Sequence, residues 1–230
     1  MATISSLETD VQNQLEEIPA DDVGVFWSVA NEIRPALVEA MNEATLITGE
    51  PQFRAVSAPF PIPTGTVFTP LALPNDAVAL LRVEGAGSVA FQKYSVWDLD
   101  RHFPGWEVAT GPSPLAWFPF GLGQFGIYPN LTAPATVILS YVQMPVTTAP
   151  PWDGTQVVPF QPEYFDGFKD AAQHYLQLKE GDPEFSQSFG PYNRFLASCE
   201  RMSNFAWRKN SLRFSRAGGA SSAITQIRQK

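Results

Sequence analysis

The sequence is poor in the residues that build disulfide frameworks, metal centres and acid–base sites. Its 230 residues include one cysteine, Cys199, and two histidines, His102 and His174. A single cysteine excludes an internal disulfide and a zinc cluster built on cysteines. Two histidines leave little from which to assemble an acid–base site. We therefore expect no catalytic residue, no metal and no cofactor.

Charge and long apolar runs are scarce as well. Charged residues make up 17% of the chain, against roughly one quarter in typical soluble domains. No apolar run approaches the roughly 18 residues that span a bilayer. The N-terminal segment is acidic and amphipathic, the opposite of a secretory signal. We expect a soluble protein that is made in a reducing compartment and has no membrane partner.

The charges that are present are distributed unevenly. The first fifty residues carry ten acids against Arg34, whereas the last thirty-seven carry eight Lys/Arg against Glu200. Such an asymmetry concerns the partners of a chain, not its fold. The final stretch, Ser211 to Lys230, also has too few apolar residues to offset the entropy of ordering. We predict that it is a docking arm, either mobile or ordered by a partner.

Three interpretations of the basic arm compete. Docking into an acidic groove of a protein partner would use both its basic and its apolar side chains. Nucleic-acid binding would use the basic ones on phosphates, although the acidic remainder of the chain would repel DNA. Simple disorder is the third. We favour protein docking, and the docking residues that we predict are Arg208, Lys209, Arg213, Phe214, Arg216, Ile224, Ile227 and Arg228.

Helical periodicity marks the N-terminal region. Ser5 and Glu8 have the spacing of a capping box at the start of a first helix. Asp21 or Asp22 can cap a second helix, which Gly49 ends and in which Pro35 should introduce a kink or a break.

The same periodicity returns near the C-terminus. It predicts one helix over residues 163–179 and another that begins at Asp182, with Pro183 in the first turn. We expect Gly190 and Pro191 to interrupt the second of these helices.

The middle of the chain is typical of short strands. Prolines recur every few residues, and apolar runs shorten to eight residues or fewer. Gly85 to Gly87 and Gly121 to Gly123 look like hairpin turns, and Ser95 with Asp98 again forms a capping box, here for a short helix. We predict a small antiparallel β module.

The predicted fold class is therefore α+β. N- and C-terminal helices form a bundle, because each helical end is too short to be a domain. An antiparallel β module is inserted between them, and a basic extended arm follows. The predicted limits are residues 1–52 and 161–207 for the bundle, 53–160 for the β module and 208–230 for the arm.

Several short motifs have simpler explanations than chemistry. The pattern Gly121-Leu-Gly-Gln-Phe-Gly126 matches a dinucleotide fingerprint, but Ile127 to Pro129 follows where a helix would be needed. Asn130-Leu-Thr132 fits a glycosylation acceptor by chance. Asp98, Asp100 and His102 could ligate a metal on a strand but not on a capped helix. Sugar stacking on Trp97, Trp106 and Trp117 lacks an accompanying pair of acids.

An ordered set of features resembles the head-to-tail adaptor proteins, also called neck or connector proteins, of tailed bacteriophages. It covers about Phe26 to Met202. The residues that carry it are Trp27, Asn31 to Ile33 and Leu37 to Ala44; Leu73 to Asp76 and Leu80 to Gly85; Leu99, Asp100 and Pro104 to Trp106; Ile127 to Pro129, Tyr141 and Val142; and Pro162 to Tyr164, Ala171, Ala172, Tyr175 and Leu176.

The resemblance implies a non-enzymatic virion protein at the head–tail junction, assembled in the host cytoplasm. Its expected partners are the further copies of a twelve-membered ring, the portal protein, and a downstream tail or neck protein. The bundles would stand side by side, the β module would face the tail, and the arm would reach the portal. Genomic DNA would pass through the channel without specific binding. The extension from Arg208 to Lys230 is a departure from the family pattern.

Overall fold

The protein has an α+β fold that divides into two compact units. A computed structural model describes residues 3–15, 27–55, 58–85, 89–145, 155, 157–180 and 182–216. One unit combines Met1–Glu50 with Ala149–Lys230, and the other is Pro51–Thr148. The first is helical and the second is mainly β. Both chain ends therefore contribute to the same unit, and the β-rich segment lies between them in sequence.

Four α-helices form the first unit, and a fifth belongs to the second. They are α1 (Ile4–Gln14), α2 (Arg34–Thr48), α3 (Val96–His102), α4 (Phe165–Glu180) and α5 (Asp182–Arg216). Short 3-10 turns at Trp106–Val108 and Pro162–Tyr164 accompany them. Only α3 lies in the β-rich unit. None of the helices in the described ranges is long and apolar enough to cross a membrane.

The predicted cap of the first helix is wrong by two residues. The N-cap is Thr3, and its side chain makes no capping hydrogen bond. Ser5 lies inside the helix, and Glu8 pairs with Arg34 of α2. The apolar periodicity itself is confirmed, because Ile4, Leu7 and Val11 are all buried. The carboxylate that fitted a local capping box is thus used for a contact between helices.

The second helix begins later than the sequence predicted. Ser28 is the N-cap and accepts a hydrogen bond from the backbone N–H of Asn31. A π-helical turn over Val29–Ile33 then passes into α2 at Arg34, directly before Pro35. Proline has no N–H to donate, so a change of helix type at this point agrees with the predicted break. The predicted caps Asp21 and Asp22 lie outside the described residues.

The C-terminal helices confirm one boundary and overturn another. α5 begins at Asp182, as the sequence predicted. It then continues through Gly190 and Pro191, where we expected an interruption. Proline removes one hydrogen bond of the helix, but Ser188, Phe195 and other residues on both sides of it are buried. Packing of one continuous face offsets the local cost.

One hydrophobic core joins the helices from both chain ends. Leu37, Ala40 and Met41 of α2 belong to the same buried cluster as Phe168 and Phe195. The cluster also contains residues of α1 and Val158. Hydrophobic burial stabilises in proportion to the apolar area removed from water. The helices near the N-terminus therefore depend on residues more than a hundred positions later in the chain.

The directions of the helices follow from named contacts. α4 and α5 are antiparallel, since His174 contacts Ser188 and Asp170 contacts Arg194. They approach closely at Gly167, where an added Cβ would lie 2.9 Å from Ser198. Arg34 at the start of α2 and Lys169 near the start of α4 both pair with acids of α1. In the later turns of α2 and α4, Glu43 accepts a hydrogen bond from Tyr175. α2 and α4 thus run in one direction, and α5 runs in the other.

Ten strands form the sheets of the second unit. They are β1 (Gln52–Arg54), β2 (Phe60–Ile62), β3 (Leu71–Ala72), β4 (Ala77–Glu84), β5 (Gln92–Lys93), β6 (Thr110–Gly111), β7 (Ala116–Pro119), β8 (Gln124–Tyr128), β9 (Asn130–Leu131) and β10 (Ala135–Gln143). β10 is the centre of one sheet, where it pairs antiparallel with β1, β2 and β4. A second sheet has the order β3-β8-β7-β5.

The expectation of a purely antiparallel module is wrong in two places. β5 pairs parallel with β7, and β6 pairs parallel with β9. Parallel neighbours need a long connection between them, and the segment from β5 to β7 contains α3. Three of the four strands in these pairs, β5, β6 and β9, are too short to show an alternation of polar and apolar residues. Periodicity in such short segments gives no information about strand direction.

Two local predictions in this unit are confirmed. β7 and β8 form an antiparallel hairpin, and Gly121 and Gly123 have φ values of 66° and 89° in its turn. Glycine adopts this left-handed region without the steric cost that other residues meet. Ser95 caps α3, and Ser95 and Asp98 form both hydrogen bonds of the capping box. The serine contacts lower the pKa of Asp98.

We predict that Ser95→Ala destabilises the β-rich unit by about 1 kcal/mol, because α3 loses a capping hydrogen bond. Urea unfolding followed by tryptophan fluorescence would measure the change. Ser113→Ala, at an exposed bend of the same unit, is the matched control. Equal stabilities of the two variants would show that the capping box does not stabilise this unit.

Candidate functional site

The long helix α5 includes the first part of the basic region. It has 35 residues, a length of roughly 52 Å at 1.5 Å per residue. Ala206 is its last buried residue among those whose side chains are described, and the helix continues for ten residues beyond it. The first part of the predicted extended arm, residues 208–216, is therefore helical. The apolar periodicity weakens there, which is why the sequence suggested an arm.

The predicted docking residues fall into two groups. Five of them lie in α5: Arg208, Lys209, Arg213, Phe214 and Arg216. Ile224, Ile227 and Arg228 lie outside the described residues. The first group occupies consecutive turns at the end of one helix, where basic residues also interact favourably with the helix dipole.

Ion pairs join neighbouring helices of the first unit at three junctions. An Arg34–Glu8 pair joins α1 to α2, with Arg34 Nη2 3.2 Å from Glu8 Oε2. Lys169 Nζ lies 3.2 Å from Asp10 and joins α1 to α4. Arg194, which the sequence grouped with the basic region, donates two hydrogen bonds of 2.7 and 3.0 Å to Asp170 of α4. Arg194 is therefore part of the helical framework.

A carboxylate and two phenols join α2 to both α4 and α5. Glu43 of α2 accepts hydrogen bonds from Tyr175 of α4 and from Tyr192 of α5, the latter at 2.6 Å. The hydrogen bond to Glu43, with burial, raises the pKa of Tyr192 to about 12. Burial and the same carboxylate raise the pKa of Tyr175. One carboxylate thus holds three helices in register.

Neither histidine forms a catalytic arrangement. The buried ring of His174 stacks on Tyr192 at a centroid distance of 4.5 Å, and its Nδ1 lies 2.9 Å from Ser188 Oγ. The Nδ1 of His102 lies 2.9 Å from the carbonyl oxygen of Asp98, within α3. Both rings therefore have structural contacts, as two isolated histidines in the sequence suggested.

The buried thiol is inert, as the sequence predicted. Cys199 faces the helical core, and burial raises its pKa to about 12. A thiol becomes a nucleophile only as a thiolate. At neutral pH, Cys199 therefore acts as a small apolar residue.

The remaining motifs have structural roles. The fingerprint-like glycines form the β7–β8 hairpin, and Asn130 donates to the carbonyl oxygens of Glu107 and Ala109. Asp98 caps α3, and Asp100 accepts from Trp106 Nε1 at 2.8 Å. Within the described ranges no group of three or more His, Cys, Asp or Glu residues could hold a metal.

The tryptophans do not form a platform for sugar stacking. Trp106 and Trp117 are 5% and 1% exposed, whereas Trp97 is 83% exposed. Trp106 packs edge-on against Phe118 in an aromatic core of the second unit. The sequence could not separate buried from exposed tryptophans in segments this short.

Apolar side chains remain exposed where α2 meets α5. Ile47 lies one turn after Glu43, while Phe189 and Leu196 lie one turn before and after Tyr192. All three are between 37% and 46% exposed. The acids Glu39 and Glu200 are exposed on the same two helices, one turn from Glu43 and from Leu196. We call Glu39, Ile47, Phe189, Leu196 and Glu200 the α2–α5 surface.

This surface was not identified from the sequence. Its residues come from helices separated by more than a hundred positions, and each fits an ordinary exposed helix position. An available signal was the two acids beside a helical apolar pattern, but the sequence did not show that the helices are neighbours. Apolar groups among charged ones are typical of protein interaction surfaces.

We predict that alkaline pH removes the stabilisation that Tyr192 provides. Its folded pKa of about 12 exceeds the roughly 10 of an unfolded tyrosine. The stabilisation is therefore complete below pH 10 and is lost as the pH rises to 12. The difference in unfolding free energy between wild type and Tyr192→Phe should shrink over this range in urea titrations.

The matched control compares Glu43→Gln with the double variant Glu43→Gln/Tyr192→Phe, because the main cause of the pKa shift is absent from both. Their difference in unfolding free energy should depend much less on pH. A pH dependence that is unchanged by Glu43→Gln would contradict the role of this carboxylate.

Comparison with known proteins supports the resemblance that the sequence suggested. The family model described as SU10 adaptor protein matches residues 2–214. This span includes both helical ends, the β-rich segment and nearly all of α5. A comparison with curated proteins finds no match. Since the match covers nearly the whole chain, the protein belongs to the SU10 adaptor protein family and is a bacteriophage head-to-tail adaptor.

Proposed function

We propose that this phage adaptor forms a ring, a dodecamer, between the portal and the tail in the virion neck. The observation that carries the proposal is the family match over residues 2–214. The exposed apolar residues of the α2–α5 surface also support it, because a ring uses two different surface regions on every copy. The ring continues the channel through which the genome leaves the head.

The β-rich unit is the proposed contact for a downstream tail or neck protein. It contains four Lys/Arg and five acids over Pro51–Thr148. Trp97, Leu115 and Leu122 are among its exposed side chains. A nearly neutral surface with large apolar residues suits a lasting protein–protein contact.

The basic C-terminal stretch, Arg208–Lys230, is the proposed attachment to the portal protein. Its six Lys/Arg residues and no acids suit an acidic groove. The helical part ends about 15 Å after Ala206, at 1.5 Å per residue. A stretch presented in this way can reach a neighbouring protein without disturbing the core of the helical unit.

We predict that a protein ending at Trp207 remains folded but no longer attaches to the portal. The residues removed follow Ala206, the last buried position among the described side chains, so we expect the core to be unchanged. Cosedimentation with purified portal rings would measure attachment, and circular dichroism would check the fold. Full attachment of the shortened protein would exclude the stretch as the portal contact.

The role proposed for the acidic helical unit is passage of DNA without adhesion. Its residues 1–50 and 149–207 contain eighteen acids and five Lys/Arg. Like charges keep the DNA phosphates away from such a wall. The protein therefore acts as a structural adaptor and not as an enzyme, in keeping with its family.

Nucleic-acid binding through the basic stretch is the second candidate function. The charge of Arg208–Lys230 favours it, while the acidity of the helical unit and the use of Arg194 by Asp170 oppose it.

The two functions differ in their salt dependence. We predict weak affinity for duplex DNA and a shallow slope of log K against log salt in filter binding. A protein that uses the six basic residues on phosphates would instead show a slope of about −5. A steep slope that disappears when residues 208–230 are removed would favour the second function.

A further inference from the structure

The α2–α5 surface has a chemistry that specifies its occupant. Ile47, Phe189 and Leu196 are each more than one third exposed, and Glu39 and Glu200 are exposed beside them. Glu43, half-buried between Tyr175 and Tyr192, adds a third carboxylate. A segment that covers this surface needs small apolar side chains and positive charge.

The C-terminal residues of the chain have this composition. Residues 217–230 contain Ile224, Ile227, Arg228 and Lys230 and no acid. In an extended segment with three residues per turn, Ile224 and Ile227 lie on one side, roughly 9 Å apart. Phe189 and Leu196 are seven positions apart on one helix, roughly 10.5 Å at 1.5 Å per residue. The two apolar pairs therefore match in spacing.

The length of the segment limits which surface it can reach. α5 ends sixteen residues after Glu200, roughly 24 Å along the helix axis. The following fourteen residues span at most about 50 Å when extended, and Gly218 and Gly219 permit the reversal of direction that is needed. The proposal therefore requires that the corresponding surface of a neighbouring copy lie within this distance in the ring.

We propose that the α2–α5 surface of one copy binds residues 217–230 of a second copy. The inference extends the proposed ring by naming one of its contacts. It divides the basic stretch between two partners. The helical residues Arg208 to Arg216 attach to the portal, whereas Ile224, Ile227 and Arg228 join neighbouring adaptors. Each subunit then presents one acceptor and one ligand, which is the requirement for a closed ring.

A labelled peptide with the sequence of residues 217–230 tests the contact directly. It is titrated against a protein that ends at Arg216, with fluorescence anisotropy as the readout. We expect saturable binding that Glu39→Lys and Leu196→Ser each weaken about tenfold, a loss of 1.4 kcal/mol. Glu107→Lys and Leu115→Ser, at exposed positions of the β-rich unit, are the matched controls. No binding, or equal weakening by the controls, overturns the proposal.

Charge reversal tests whether Glu39 faces the segment. A peptide with Arg228→Glu should bind the wild-type surface weakly and the Glu39→Lys surface more strongly. Failure of this exchange, with Leu196→Ser also without effect, would place the peptide elsewhere on the protein.

A mixing experiment tests whether the C-terminal segment of one copy binds the α2–α5 surface of another copy. One protein carries Glu39→Lys and Leu196→Ser with an intact C-terminus, and the other ends at Arg216 with an intact surface. Neither should associate alone, but the mixture should form a complex in analytical ultracentrifugation. Peptide binding without complex formation in the mixture would mean that the segment, when attached to the protein, does not reach a second copy, and it would overturn the contact between copies.

The outcome is independent of the portal contact. The protein that ends at Arg216 should still cosediment with portal rings, whereas the protein that ends at Trp207 should not. Loss of attachment in both, together with normal peptide binding, would leave this inference intact and assign more of the stretch to the portal.

Discussion

The helical unit depends on burial that neither end of the chain can achieve alone. α1 and α2 present Ile4, Val11 and Leu37, whose partners in the core come from α4 and α5. A helix of eleven or fifteen residues is marginal in water without such packing. One ion pair, Lys169 with Asp10, also joins the two chain ends, whereas Arg34 and Arg194 each pair within one end. Closing the unit therefore requires the whole intervening segment to be in place.

This constraint explains why the β-rich segment has a core of its own. Its clusters around Val83, Trp117 and Leu139, and around Leu99 and Phe118, contain residues of Pro51–Thr148 alone. Much of the large phenylalanine content is used here, as Phe68 illustrates by contacting Trp106, Phe118 and Phe120. Many of these aromatic residues fill the small cores of this unit.

The sequence predicted what is decided locally and failed where distant contacts decide. The capping box of Ser95, the turn at Gly121 and the start of α5 depend on a few adjacent residues, and all are present. The box assigned to Ser5 failed because Arg34 is the stronger partner for Glu8. Pro191 failed to break α5 because α4 packs against both sides of it.

The candidate site was harder to predict than the fold. The basic stretch was visible as charge, but its acceptors were not, because they depend on which helices become neighbours. Phe189 and Leu196 fit the ordinary apolar pattern of an amphipathic helix, so the sequence does not show that they are exposed. Their significance comes from Glu43, which brings α2 beside α5 and thereby places Glu39 and Ile47 next to them.

The distribution of polar contacts separates the fixed parts of the helical unit from the part that is open to a partner. Ion pairs join α1 to α2, α1 to α4 and α4 to α5, whereas Tyr175 and Tyr192 join α4 and α5 to α2 by donating hydrogen bonds to Glu43. Their hydroxyl groups satisfy the buried carboxylate, so the outer turns need no ion pair there and keep apolar side chains exposed. A surface whose polar groups are already paired underneath costs little to desolvate. The hydrogen bonds of Glu43 thus set the register of three helices and also leave the α2–α5 surface available to a partner.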